Sequence, residues 1–509
     1  NGKDIQDINM TIEIQIRQGE SYYGLACNEG VRFPLTQSSR YEFDLRTYHS
    51  GNQASSVLLS TRGKYIYSDY PFHILVKKGI RTLEGKDILV KENGQTLKSA
   101  HQGLIRDFFH SDHRIPDERR FTRIQYNTWI ERGWDCTEEK VLQYASSILE
   151  HGYPAGILRI DDCWCKDYGE WDFDPGKFKN PGKRVEKLHQ RGFLVMLWCC
   201  PFVSPDSARF RSQESLFFRN KKGDTGISHW WNGYSAVYDR TLPEARSAFL
   251  ASLSFLKEKY GIDGFKLDAG DPEYYPDDFE FHGIERSRQA KEYAALGEKF
   301  PLSELRVAFN NNLKGVAHRL RDKNHSWNED GINTLIPDGI REGLLGYPYF
   351  CPDRIGGGRL LDFTKPDFVF SQDLYVRYAQ AAAYRPRRQF SLMPYKKLDE
   401  EHLEAVKKAV DIHLKNSGLI VSLAKQSKET GEPIVKPLNY FYPGSAYDSI
   451  KDEFVLTEDF LVAPMVQEGT SREVVIPDGI WVDETGKQYS KGTYQIEVPL
   501  DRIPVFRKR

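Results

Sequence analysis

Several things this chain lacks narrow its class before any motif is read. Its 71 basic and 72 acidic residues leave a net charge of −1, so no electrostatic footprint for nucleic acid is present. The longest basic run, Arg507-Lys508-Arg509, is shorter than a basic tail. No apolar run reaches the roughly 18 residues a transmembrane helix requires, so no membrane span is expected. No signal-peptide pattern opens the chain, which starts at Asn1 without a Met. Seven cysteines include no CxxC pair, which argues against a zinc ribbon, and their odd number leaves at least one thiol unpaired within a monomer. Cys163 and Cys165 alternate along what reads as a strand end, the pattern of buried free thiols. No HxH or HExxH spacing marks a metal site, and no GxGxxG follows the first strand of the βα region.

What is present is length, apolar residues and aromatics. A 509-residue chain that is 39% hydrophobic is long enough for two to four domains. Aromatics make up 13%; their faces stack on the apolar faces of sugars, although core filling is the ordinary reading for any single one.

Residues 1–117 read as β: Thr11–Ile16, Tyr41–Leu45, Ser56–Leu59, Lys64–Tyr67 and Phe72–Val76 are short strands between Gly, Asn and Ser turns, the signature of an antiparallel sandwich. From residue 118 the rhythm becomes βα. Strands are predicted at 123–126, 156–160, 193–198, 264–267 and 305–309, with helices at 137–150, 183–191, 243–260 and 284–299. Five or more such units favour a (β/α)8 TIM barrel over a dinucleotide-binding fold. The barrel is expected over 118–428. Residues 429–509 return to strands at 453–456, 460–464, 471–476 and 494–498, a second and smaller β-sandwich.

In a barrel, catalytic groups sit at the C-terminal ends of strands. Reading those positions brings Asp161 and Asp162, Trp198, and Lys266 with Asp268 to one rim, and Arg306 near it. Paired carboxylates are what glycoside hydrolysis needs: one attacks the anomeric carbon or activates water, the other protonates the leaving oxygen. Most of the 72 acidic residues are ordinary surface charges, but an Asp ending an apolar barrel strand is not.

At Gly264-Phe265-Lys266-Leu267-Asp268-Ala269-Gly270-Asp271 the chain resembles glycoside hydrolase family 31, and within it the animal myogenesis-regulating glycosidase branch. The resemblance implies Asp268 as nucleophile, with Lys266 orienting it and favouring its ionised form. Ile160-Asp161-Asp162 with Tyr168–Asp174 resembles the family's sugar-binding strand and loop, implying that Asp161, and Asp162 with it, grips sugar hydroxyls. Trp230-Trp231-Asn232-Gly233 resembles the same branch and implies Trp231 as pocket wall. The Trp-x-Gly-Asp motif that carries the acid/base in most members is absent. The branch instead has Arg-x-x-Asp with a Trp five residues on, which Arg319, Asp322 and Trp327 match; Asp330 and Asp338 are the rivals. Arg306, sixteen residues before Asp322, falls where the family keeps a substrate-binding Arg. Pro352-Asp353-Arg354-Ile355-Gly356-Gly357 resembles the Asp loop of the family's next barrel strand, implying that Asp353 supports the pocket as a substrate-binding residue, or else as a structural one. The sugar-binding His common near Gln389-Phe390-Ser391 is missing, which weakens any transfer of glucose specificity. The resemblance covers residues 118–509.

The implied activity is a retaining exo-acting α-glycosidase, α-galactosidase before α-glucosidase, with Asp322 protonated and Asp268 ionised in the free protein. No metal or organic cofactor is expected, and the partner is a small-molecule, oligosaccharide or glycoconjugate substrate. The rivals are a barrel lyase or isomerase, which would ordinarily need a metal or phosphate site, and a catalytically silent carbohydrate-binding homologue. The sequons at Asn9 and Asn324 give a secreted or luminal setting as the expectation.

Overall fold

The computed structural model describes residues 9–47 and 52–509. At its centre eight parallel strands run in the order Phe350–Cys351, Ala317–Arg319, Glu304–Leu305, Gly264–Leu267, Leu194–Cys199, Ile157–Ile160, Gln125–Asn127, Gln389–Phe390. A parallel bridge between Arg354 and Gln389 joins the two ends and closes the (β/α)8 barrel. Strands covered on both faces read as unbroken apolar runs, and Ile157–Ile160 and Leu194–Cys199 are buried along their whole length.

The helices between strands begin and end where local chemistry dictates. Glu138–Glu150 starts on Thr137, whose hydroxyl accepts from the Lys140 amide, with Glu138 and Glu139 at the positive end of the helix dipole. Pro243–Tyr260 has Pro in its first turn and stops at Gly261, whose φ of 72° suits a residue without a side chain.

The barrel interior is ionic. Glu304 accepts from Arg159 at 2.6 Å, Arg387 at 2.9 Å and Arg120 at 3.0 Å, and Arg319 approaches at 3.7 Å. All five side chains are at most 4% exposed. Burial pushes the Glu304 carboxyl up, but the four guanidiniums outweigh it and hold the group well below the usual range.

Two antiparallel sheets form the N-terminal sandwich, one of Asn9–Gln15, Ile80–Lys86, His73–Lys77 and Tyr41–Asp44, the other built around Gln53–Ser60. The expected strand over 305–309 is corrected to two pieces. Glu304–Leu305 stays in the barrel, whereas Ala308–Phe309 leaves it to pair in parallel with Gln53–Ser60. Asn310 then locks the departure, accepting from the Ser56 amide and donating to the Ser68 carbonyl, both at 3.0 Å. Gln53 in turn donates to the carbonyls of Arg306 at 2.8 Å and Arg319 at 2.9 Å, so the N-terminal domain stitches two strand ends of the barrel rim. A helix from Glu400 to Thr430, not anticipated, leads to the C-terminal domain, where Trp481, Leu461, Val474 and Phe506 fill a separate core. All seven cysteines are free thiols.

Candidate active site

A cavity of about 540 Å³ opens at the C-terminal rim of the barrel. Of the residues singled out by sequence, Asp161, Asp162, Trp198, Trp231, Lys266, Asp268, Arg306 and Asp322 line it together.

Asp268 follows the strand Gly264–Leu267 directly, and its amide donates to the Cys199 carbonyl at 2.9 Å, continuing the ladder. The next two residues turn away sharply. Ala269 has φ 57° and Gly270 has φ 84°, and a Cβ on Gly270 would come within 2.6 Å of Tyr293. This bend leaves the carboxylate at the pocket floor. Its Oδ2 accepts from the Trp198 indole at 2.8 Å and lies 3.3 Å from Lys266 Nζ. Its Oδ1 is buried without a hydrogen bond, with Arg306 Nη1 at 3.6 Å. Burial raises the carboxyl's pKa, but Lys266, Arg306 and Arg319 outweigh it and hold Asp268 ionised, below the usual range.

Asp161 and Asp162 end the strand Ile157–Ile160. Lys266 Nζ sits 3.5 Å from Asp161, so one ammonium bridges Asp161 and Asp268. Asp161 Oδ2 is buried without a hydrogen bond, with Arg159 Nε at 3.4 Å and Lys266 Nζ at 3.5 Å. Asp162 is held by the Tyr168 hydroxyl at 3.0 Å and Asn232 Nδ2 at 2.8 Å. Burial and the neighbouring Asp161 push its pKa up to about 6. Trp231, 46% exposed, stands at the mouth with the Arg306 guanidinium 5.2 Å over its ring.

Asp322 reaches the cavity from the loop after Ala317–Arg319. Arg319 Nη1 donates to it at 2.5 Å, Arg354 lies at 3.8 Å, and the side chain is 51% exposed. The charges around Asp322 oppose the protonated state expected of it. Burial pushes its pKa up, but Arg319, Arg354 and Arg306 pull it well below the usual range. The cations around the pocket thus favour the ionised form of both carboxylates.

For Asp353 the substrate-binding reading is corrected in favour of the structural one. Its side chain is wholly buried behind the wall, accepting from Arg319 at 3.0 Å and from the Lys323 amide at 2.8 Å; it positions Arg319 and does not reach the cavity. The rivals to Asp322 stand apart from the cavity lining. Asp330 accepts from Asn324 at 2.7 Å on the surface, and Asp338 is buried in the helix Leu335–Leu344 against Lys323 and the Gly30 amide.

Sequence reasoning missed Asn52, Trp129, Arg321, Asn324, Arg354 and Arg359, all of which line the cavity. Asn52 comes from the N-terminal domain, so no signal inside the barrel sequence marks it. Arg321 flanks Asp322 and was within reach of inspection. It also missed Asp271, fully buried behind Arg306 and bound to it at 2.9 Å. Among the described residues no group of three His, Cys, Asp or Glu side chains is arranged to hold a metal ion, and no helix is long and apolar enough to cross a membrane.

Together these features define a (β/α)8-barrel protein with a polar, carboxylate-bearing pocket at the catalytic rim. Residues 120–414 match the TIM-barrel domain of glycosyl hydrolases family 31, and 431–509 match that family's C-terminal domain. The chain belongs to glycoside hydrolase family 31. Mouse myogenesis-regulating glycosidase is 33% identical over 81% of this chain and 60% of its own length. Alpha-glucosidase 2 of Bacillus thermoamyloliquefaciens is 24% identical over 73% of this chain and 51% of its own. This chain therefore spans between half and 60% of those relatives. The Flavobacterium johnsoniae dextranase solved with glucose shares the fold, with a TM-score of 0.85 at 18% identity over 98% of this chain and 66% of that one.

Proposed function

We propose that this protein is a retaining, exo-acting α-glycosidase, with Asp268 as nucleophile, Asp322 as general acid/base and terminal α-galactose as the preferred sugar. The observation that carries this reading is the buried Oδ1 of Asp268, ionised and without a hydrogen bond, in the same sugar-sized cavity as Asp322.

In the first step Oδ1 of Asp268 bonds to the anomeric carbon as the bond to the leaving oxygen breaks, and Asp322 gives that oxygen a proton. In the second, Asp322 takes a proton from water, whose oxygen displaces Asp268 and restores the original anomeric configuration. Trp198 and Lys266 fix Oδ2, so that Oδ1 is the attacking atom. Asp161 and Asp162 grip ring hydroxyls, and Trp231 offers a face to the sugar. A proton reaches Asp322 once the substrate covers its exposed side, because removing water favours the neutral acid.

The galactose preference rests on what the branch resemblance of the sequence implies. A panel of p-nitrophenyl α-glycosides of galactose, glucose, xylose, N-acetylgalactosamine and sulfoquinovose tests it. The reading requires turnover of at least one, fastest for galactose, and its abolition in Asp268→Ala. Fastest turnover of the glucoside moves the sugar assignment only. Near-normal activity in Asp268→Ala removes the mechanism, and sugar binding without cleavage by the wild type makes the protein a silent homologue. For the setting we propose a secreted or luminal one, on the two sequons; Asn9 is exposed, and mapping its glycosylation in the protein from its natural source tests this.

A further inference from the structure

The charges around the pocket do not balance evenly with depth. Six cationic side chains line it, Lys266, Arg306, Arg319, Arg321, Arg354 and Arg359, against the four carboxylates Asp161, Asp162, Asp268 and Asp322. At the floor the match is close. Lys266 sits between Asp161 and Asp268, Arg306 has Asp271 at 2.9 Å as well as Asp268, and Arg319 has Asp353 at 3.0 Å and Glu304 at 3.7 Å behind it.

The mouth differs. Arg354 Nη2 lies 3.8 Å from Asp322 and donates to the Gly358 carbonyl at 2.9 Å, while its Nε is buried without a hydrogen bond. Arg321 Nε is likewise buried without a hydrogen bond. Among the described residues neither Arg321 nor Arg359 forms an ion pair, although the Arg359 backbone amide binds Asp362 at 2.9 Å. Asp322 is thus already paired with Arg319 and Arg354, whereas the Arg321 and Arg359 guanidiniums line the same pocket with no carboxylate of their own among the described residues.

The group next to the acid/base on its solvent side is the leaving group, since Asp322 must reach the leaving oxygen. Resting on the glycosidase reading above, we infer that the natural leaving group carries an acidic substituent, a carboxylate, sulfate or phosphate, which Arg321, Arg354 and Arg359 bind. Guanidinium forks suit these oxyanions, and buried unmatched N–H groups are expensive unless a ligand fills them. The same anion would offset the cationic field that keeps Asp322 ionised, helping it hold the proton it must deliver.

Matched α-D-galactosides test this, with 4-carboxyphenyl, 4-sulfophenyl and 4-phosphonophenyl leaving groups against the neutral 4-carbamoylphenyl one, and α-D-glucosides in parallel. Calorimetric binding to Asp268→Ala avoids cleavage, and the same ratios read as kcat/KM on the wild type serve if that variant fails to fold. At low salt at least one acidic ligand should bind roughly tenfold more tightly than the neutral one. The ratio should shrink as salt rises and fall to near one in Arg321→Gln/Arg359→Gln. The best of the three acids identifies the oxyanion. Turnover or binding of the neutral glycoside with no acidic preference overturns this inference and leaves the glycosidase standing. An acidic preference in binding with no cleavage of any glycoside by the wild type overturns the glycosidase reading and leaves anion recognition standing. A preference that survives in the double variant overturns the assignment to these arginines.

Discussion

The Trp198 indole donates to Oδ2 of Asp268 at 2.8 Å, which in the proposed mechanism helps to reserve the other carboxylate oxygen for attack. With Oδ2 taken by Trp198 and Lys266, Oδ1 is left for attack. Trp198→Phe keeps the aromatic packing and removes the donor. A hydrogen bond to a charged group contributes about 1.5–3 kcal/mol, so kcat/KM on an aryl α-glycoside should fall roughly 10- to 100-fold. The urea midpoint should barely move. An unchanged kcat/KM would show that Trp198 only fills space.

The depressed pKa of Asp322 gives a leaving-group signature. Above that pKa the protonated fraction falls about tenfold per pH unit, so kcat/KM on glycosides with poor leaving groups, which need acid assistance, should decline from pH 5 towards neutrality. Substrates with nitrophenyl leaving groups should decline far less in the first step. In Asp322→Ala, azide should restore turnover of an activated substrate, whereas in Asp330→Ala activity should persist without rescue. Profiles that coincide for both leaving groups would remove Asp322 from the acid role.

Asp162 links the site to stability. Burial first, and then the charge of Asp161, raise its pKa from 3.8 to about 6. A carboxyl that holds its proton more tightly folded than unfolded favours the fold at low pH, and that contribution is lost as pH rises through the folded value. Asp162→Asn keeps an acceptor for Tyr168 and carries no charge. Relative to wild type it should gain stability between about pH 4 and 6, reaching at most about 3 kcal/mol by pH 7, with no gain below pH 4. Urea midpoints across that range read the effect, and a pH-independent difference would contradict it.

Glu304 should be far less tolerant. It is the shared counter-ion of Arg120, Arg159, Arg319 and Arg387 inside the barrel, and removing it strands buried cations. Glu304→Ala should cost about 3–5 kcal/mol or prevent folding, judged by expression and chemical melts. A variant as stable as wild type would mean that water enters the barrel to solvate the arginines.

Much of this site was legible because barrel geometry ties chain position to place: a polar residue ending an apolar strand must face the rim. Asp161, Asp162, Trp198 and Asp268 came from that rule, and Arg306 and Asp322 from motif spacing. Asp353 sits on an equivalent loop, yet its φ of 107° and its bonds to Arg319 and Lys323 turn it inward, which position alone does not reveal. Asn52 depends on the pairing of Ala308–Phe309 with Gln53–Ser60, a long-range contact without local periodicity. The electrostatics of Asp322 escaped for the same reason, since besides nearby Arg319 the cations Arg354, Arg306 and Lys266 reach it from other strands.

The most direct test of the account is covalent capture. The protein is incubated with 5-fluoro-α-D-galactosyl fluoride, and with its glucosyl counterpart in parallel, then digested and mapped by mass spectrometry. The account predicts one glycosyl adduct, on Oδ1 or Oδ2 of Asp268, absent from Asp268→Asn. An adduct on any other side chain, or hydrolysis of aryl glycosides with inversion and no adduct at all, would contradict it.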